Sequence, residues 1–477
     1  MTRRLFDSEY IFGIHEPGGE GYMVEAGRPG WIVFTEAIGA DPDDFSGQDY
    51  SPYSSRNLGV MARLNNGYSP AGTIPNSAYY EEFAQRCANF VANSRGCKIW
   101  IIGNEMNYAI ERPPLFSRAA ETLDDAEPEP ASGESKGLLA TARRGAQAVM
   151  RNLSAGMGDA QLFSRSVASD ADEIVKDALV DDAQLAPLLA PAAESGEVIT
   201  PEMYARCYAL CRQAIHAIPG HSDDQVLIGA VAPWNDQTRY PGNESGDWVV
   251  YFQDILDLLG VEQCDGVTIH TYTHGADTNL IYSDAKMDPP FQNRHFNFKA
   301  YVDFMQAIPA SMRQLPVYIT ETNQDVPWEN RNIGWVQAAY GEINWWNSQP
   351  GSQQIHNLIL YRWPKIDQWY IEGKAGVIED FRLALRNNYR WQEPTTPPQS
   401  FRAGDIVATT SVVNLRRSPG FLGKPAGDIV AQLPAQTRLS ILVTFPKVQM
   451  LLSGGRCGPS IAGCKVGSLR PRPTGLH

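Results

Sequence analysis

Eight short, mostly apolar runs, each closed by polar or aromatic residues and followed by a helical pattern, constrain this chain more than any other feature of it. The runs fall at 10–15, 31–37, 60–64, 99–102, 226–232, 266–270, 317–320 and 358–361. Continuous apolar runs of this length fit strands covered on both faces, as in a parallel sheet whose crossover helices hide it from water. Between the runs the apolar spacing changes to three and four. Tyr80, Phe83, Ala84, Cys87, Phe90 and Val91 make one such stripe, and Tyr204, Cys207, Tyr208, Cys211 and Ile215 another. Thr200 ahead of Pro201 predicts a capped helix start with proline in its first turn, and Asn76 or Ser77 caps the earlier helix. The alternation predicts an α/β protein, a (β/α)8 TIM barrel. An open doubly wound sheet would carry a G-x-G-x-x-G turn after its first strand. HEPGGEG stands there instead, with different spacing.

In a barrel of this kind, catalytic groups gather at the C-terminal ends of the strands. Two runs deliver a glutamate to that end. KIWIIGNEMN places Asn104 and Glu105 after strand four, and PVYITETNQ places Glu321 at the end of strand seven. Those two strands face each other across the mouth, so the carboxyls can flank one bond. Glycosidic cleavage needs such a pair: one carboxyl gives a proton to the leaving oxygen, and the other attacks carbon or activates water. A separation of ~5–5.5 Å marks the retaining route and ~6.5–9.5 Å the inverting one. A lone strand-end glutamate is more often a loop ion-pair partner. The opposed pair is what points to chemistry.

Other strand ends complete a set: Arg63 in ARLN, His270 and Tyr272 in IHTYTHG, and Trp363 in LYRWP. Through this ordered set the chain resembles the clan A glycoside hydrolases over about residues 8–395. The resemblance implies retaining cleavage of β-glycosidic bonds by double displacement, with Glu105 as acid/base and Glu321 as nucleophile. It implies that Asn104 contacts the sugar 2-hydroxyl, that Trp363 floors the subsite of the reacting sugar, and that Arg63 lies beside the nucleophile. His270 and Tyr272 match positions that surround the reacting sugar. His15, Glu16, Glu36 and Trp234, at the remaining strand ends, are further candidate sugar contacts. The expected partner is an oligo- or polysaccharide, with no cofactor and no metal; the oligomeric state stays open. A carbohydrate-binding barrel without catalysis is the competing reading, and the presence of both glutamates argues against it. A metal-dependent hydrolase would need histidine clusters at strand ends, and the eight histidines include no H-x-H pair.

The separation of 216 positions between Glu105 and Glu321 leaves room for an insertion at about 111–197, which includes the loop-like DDAEPEPASGES. The barrel is expected over 1–395, a proline-rich linker over 396–403, and a small all-β module over 404–477. That module resembles a bacterial Src-homology-3-like barrel through V-x-N-L-R-x-S-P-G at 412–420. Its usual closing Trp-containing strands are missing, so it is expected to be incomplete after about 446. The formal net charge of −14 argues against nucleic-acid and anionic-membrane partners. No apolar run reaches the ~18 residues of a membrane span, and MTRRLFDSEY lacks a signal peptide's apolar core. These features predict a cytoplasmic protein, or a secreted one whose leader is missing. The seven cysteines are spread widely, as buried thiols in a reducing compartment would be; Cys457 and Cys464 leave a disulfide undecided.

Overall fold

The computed structural model describes residues 5–115 and 196–392, and, toward the C-terminus, 406–408, 413–416, 429–434, 437–443 and 449–452. Eight parallel strands form one sheet in the order β5–β4–β3–β2–β1–β8–β7–β6. They are β1 Phe12–His15, β2 Trp31–Ala37, β3 Gly59–Asn65, β4 Ile99–Ile102, β5 Gln225–Ile228, β6 Val267–His270, β7 Val317–Thr322 and β8 Ile355–Leu360. The helices described with them are α1 Glu20–Glu25, α2 Ser51–Ser54, α3 Tyr80–Ala92, α4 Pro201–His216, α5 Trp248–Leu259, α6 Ala300–Ala307, α7 Trp335–Asn347 and α8 Ala375–Ala384. This is the nearly closed (β/α)8 barrel that the alternation predicts. Thr200 caps α4 through a 3.4 Å hydrogen bond from Met203 N. Among the described residues, no helix is long and apolar enough to cross a membrane.

Seven of the eight strand junctions are backbone ladders. At the eighth, between β5 and β6, side chains span the seam. Val226 N donates to Asp265 Oδ2 at 3.1 Å, and Thr268 Oγ1 donates to Ile228 O at 2.7 Å. The fifth strand stops at Ile228, short of the expected residue 232. Tyr204 explains the stop. Its hydroxyl accepts from Gly229 N at 2.5 Å and donates to Ile102 O at 2.8 Å, so an α4 side chain takes over where the β4–β5 ladder ends. The first strand likewise begins at Phe12 and the eighth at Ile355, moving those boundaries by two or three residues from the sequence reading.

Side chains alternate across each strand, and this sets what fills the barrel. Trp31, Val33, Met61, Ile99, Ile101, Leu227, Tyr318 and Ile359 pack as a separate buried cluster inside it. Gly59 makes room there, since a Cβ on it would lie 2.4 Å from the Trp31 indole. The same alternation carries the inward face upward from Met61 to Arg63 on β3, from Gly13 to His15 on β1, and from Thr268 to His270 on β6. The apolar interior therefore ends in a buried polar layer of His15, Arg63, His270 and Thr320 at the C-terminal rim.

The expected insertion lies almost wholly outside the described residues, as do the 396–403 linker and the chain beyond 452, including Cys457 and Cys464. In the expected all-β module, β10 Val413–Arg416 pairs antiparallel with β11 Ile429–Leu433. A second antiparallel sheet has the order β13–β12–β9, from Gln449–Leu452, Arg438–Val443 and Ile406–Ala408. The five described cysteines, Cys87, Cys97, Cys207, Cys211 and Cys264, are buried and free.

Candidate active site

Glu321 sits in β7 where the ladder slips. Pairing with β6 shifts between Ile269 and His270, which sets His270 opposite Glu321. The slip brings the Glu321 carboxyl into the polar layer, where it is buried. Arg63 Nη1 donates to Oε1 at 2.6 Å, and His15 Nε2 lies 3.6 Å from the same oxygen. Burial pushes this carboxyl up, but the charges of His270, Arg63 and His15 and the Arg63 hydrogen bond more than offset it, leaving a pKa of about 2. His15 is itself driven well down by burial and by the Arg63 charge, so it is neutral at neutral pH. The permanent cation that holds Glu321 ionised is therefore Arg63.

Glu105 reaches the mouth from the far side. After β4 the chain turns through Gly103 at φ 73°, and Glu105 itself stands at φ 45°. Its N–H donates to Ala230 O at 2.8 Å, tying the turn to the segment after β5. Its Oε1 lies 2.7 Å from His270 Nδ1. Tyr272 joins the two carboxyls: its hydroxyl is 3.3 Å from Glu105 Oε1 and 3.1 Å from Glu321 Oε2. Those two legs laid end to end bound the separation of the carboxylate oxygens at about 6.4 Å. Glu16, Trp234 and Asp325 share the left-handed backbone of Glu105, at φ 63°, 59° and 53°. Such conformations cost side-chain-bearing residues energy, and here they fall in loops around the barrel mouth.

The other sequence candidates are placed as follows. Arg63, His15, His270 and Tyr272 surround the two glutamates directly. Asn104 is buried, with its carbonyl accepting from Thr73 Oγ1 at 2.6 Å and its side-chain Oδ1 unpaired. Trp234 lies with its ring centroid 6.2 Å from that of Tyr272. Glu36 is one step removed. It accepts from Tyr50 OH at 2.7 Å, and burial raises its pKa. Trp363 packs against the loop after β1. It is only 6% exposed, and its indole lies on the backbone of Gly18 and Gly19, where a Cβ would come within 2.5 and 2.2 Å. Two residues earlier stands Tyr361. Its ring meets His15 at 4.9 Å, and burial together with the Glu321 charge raises its pKa.

Two further carboxyls stand near the site: Glu16, a sequence candidate, and Glu111, which escapes the sequence reading. Burial lifts Glu16 to about 7, with Arg362 pulling against it. Burial and the charges of Glu105 and Glu321 lift Glu111 to about 8. Glu16 directly follows the first strand, the position that made it a candidate. Glu111 lies in a 3-10 turn, Ala109–Glu111, at the edge of the irregular stretch, and no periodicity marks it. Among the described residues, no group of three or more His, Cys, Asp or Glu side chains is arranged to hold a metal ion.

No protein-family model and no curated protein sequence matches the chain. Among solved structures, it is similar to a GH128 (subgroup II) endo-β-1,3-glucanase from Sorangium cellulosum at 9% identity and a TM-score of 0.37, covering 79% of this chain and 98% of that one. It is similar to the GH39 enzyme from Xanthomonas axonopodis pv. citri at 11% identity and a TM-score of 0.37, covering 79% and 65%. A modular family 26 endo-β-1,4-mannanase from Cellulomonas fimi matches at 11% identity and a TM-score of 0.38, covering 94% and 98%. These structural neighbours are glycoside hydrolases; the barrel assignment here rests on the strand order itself.

Proposed function

We propose that the chain is a retaining glycoside hydrolase that cleaves β-glycosidic bonds in an oligo- or polysaccharide, with Glu105 as acid/base and Glu321 as nucleophile. The observation that carries this reading is the Tyr272 hydroxyl within 3.3 and 3.1 Å of the two carboxyls. A single hydroxyl that reaches both leaves little room for the water that an inverting enzyme seats between its carboxyls, ~6.5–9.5 Å apart.

In the first step Glu321 Oε attacks the anomeric carbon while the bond to the leaving oxygen breaks. Glu105 gives its proton to that oxygen. In the second step water attacks the same carbon, Glu105 takes the water's proton, and the bond to Glu321 breaks. Each step asks something definite of the neighbours. Glu321 must begin as an anion, which Arg63 supports. Glu105 must begin protonated. His270 stands within hydrogen-bond reach of the Glu105 carboxyl through Nδ1, at 2.7 Å, and of Thr320 Oγ1 through Nε2, at 3.1 Å. Asn104 offers its amide to the sugar 2-hydroxyl, and Tyr361 takes the role of ring platform first expected of Trp363.

The test is a screen of β-glucans, β-mannans, β-xylans and aryl β-glycosides, with the first-formed anomer read by NMR. Retention is expected, and Glu321→Gln should abolish turnover. Inversion, or full activity in Glu321→Gln, would contradict the assignment.

A further inference from the structure

Resting on the glycosidase reading, the line joining the two glutamates divides the strand ends into two unlike arcs. One arc, from β8 through β1 to β3, carries charge: Arg362, His15, Glu16, Glu36 and Arg63. The other, after β5 and β6, carries rings. Beginning at Tyr272, the centroid of Trp234 lies 6.2 Å away, that of His274 is 4.3 Å beyond it, and Phe296 stacks on His274 at 3.9 Å with only 10° between the planes. The row is fixed in place. Trp234 Nε1 donates to His295 O at 2.8 Å, and His274 N donates to Asn297 Oδ1 at 3.0 Å. His295 N in turn donates to Asp303 Oδ2 at 2.6 Å, which anchors the loop to α6. Yet Phe296, at its outer end, is 38% exposed, and Trp234 is only partly buried. Rigid, partly uncovered rings beside a bond-cleaving pair suit the apolar faces of a sugar.

We propose that Trp234, His274 and Phe296 form the subsite for the leaving-group sugar. The side follows from the two carboxyls. Glu321, which takes the anomeric carbon, is held from the charged arc by Arg63 and His15. Glu105, which protonates the leaving oxygen, is tied through its N–H to Ala230, four residues before Trp234. The departing half of the substrate therefore lies along the rings, and the retained half along the charged arc. The enzyme then selects a leaving group that is itself a sugar over a small one.

The test compares kcat/KM for two kinds of substrate that share a glycone. One is the β-fluoride of cellobiose, mannobiose, xylobiose or laminaribiose, whose leaving group is one atom. The other is the corresponding tetrasaccharide, whose leaving group is a sugar. Phe296→Ala, at an exposed loop position, and Trp234→Ala should each lower the tetrasaccharide-to-fluoride ratio by about tenfold, the size of a lost aromatic contact. Phe296→Tyr should restore it. Equal losses on both substrates, or a larger loss on the fluoride, would overturn the subsite while leaving the glycosidase reading intact. A wild-type protein that turns over neither kind of substrate would overturn both.

Discussion

Removing Arg63 should reverse the pH dependence that Glu321 gives to the fold. In the native protein the carboxyl titrates at about 2 against an ordinary value of 4.5. At ~1.4 kcal/mol per pH unit, that difference contributes about 3 kcal/mol of stability. The folded carboxyl is the stronger acid, so the contribution is complete above pH 4.5 and is lost as pH falls toward 2. In Arg63→Met, burial remains while the permanent cation is gone. The folded carboxyl becomes the weaker acid, and the sign inverts: stability should rise as pH drops from ~7 to ~5. At pH 7 the variant should lose ~3–5 kcal/mol, the cost of stranding one member of a buried pair. Arg63→Met combined with Glu321→Gln should recover at least ~2 kcal/mol of that loss, because the stranded charge is gone. Chemical denaturation of the wild type, both single variants and the double variant at both pH values measures the cycle. Additive losses, or an Arg63→Met variant whose stability does not rise between pH ~7 and ~5, would refute the argument that Arg63 is what keeps Glu321 ionised.

Four other outcomes follow from the geometry. Glu105→Ala should lose ~10²–10⁴-fold on substrates with poor leaving groups and far less on activated aryl glycosides, measured as kcat/KM across a leaving-group series; a uniform loss would disconnect Glu105 from proton donation. Tyr361→Ala should depress kcat/KM with little change in thermal stability. Trp363→Ala should instead unfold more readily, by ~3–5 kcal/mol, because it vacates a filled site over Gly18 and Gly19; a purely kinetic effect at Trp363 would restore it as the sugar platform. Asp265→Ala should cost ~2–3 kcal/mol in denaturant titrations, since Asp265 accepts from Arg212 and from Val226 N across the β5–β6 seam. His216, whose pKa is raised by its bond to Asp265, makes that cost greatest below pH 6.5, and it should diminish as pH rises through the raised value.

The barrel was legible in the sequence because its strands are apolar on both faces and its helices on one, two patterns with different periods. Glu105 and Glu321 were legible for a related reason: each is the first carboxylate after an apolar run, and topology does the rest. Arg63 could be named but not understood from sequence alone. Its value lies in the alternation that turns it inward above Met61, into contact with a residue 258 positions away. Trp363 was legible only in part. Position after strand eight placed it at the rim, but a rim residue can face either way. What seats its indole is the smallness of Gly18 and Gly19 in another loop. Phe296 lay beyond reach altogether, because it joins Trp234 only through His274 and nothing local in its own segment reports that stack.

Tyr272 draws these pieces into one argument about charge. Its hydroxyl has a single hydrogen and three acceptors within reach: Glu321 Oε2 at 3.1 Å, His270 Nδ1 at 3.1 Å and Glu105 Oε1 at 3.3 Å. In the proposed double displacement the anion before attack is on Glu321, so the hydrogen belongs there. Once the sugar is esterified to Glu321, that anion is gone and the negative charge stands on Glu105. The same hydrogen can then turn toward Glu105, with no movement of either glutamate backbone. Arg63 cannot follow it, because its guanidinium is buried on the Glu321 side. The fixed cation therefore favours the state in which Glu321 is free and ionised, and the movable hydrogen serves both states. On that division, Arg63 favours return of the nucleophile in the second step, while Tyr272 lets the first step form an ester without leaving Glu105 unsolvated.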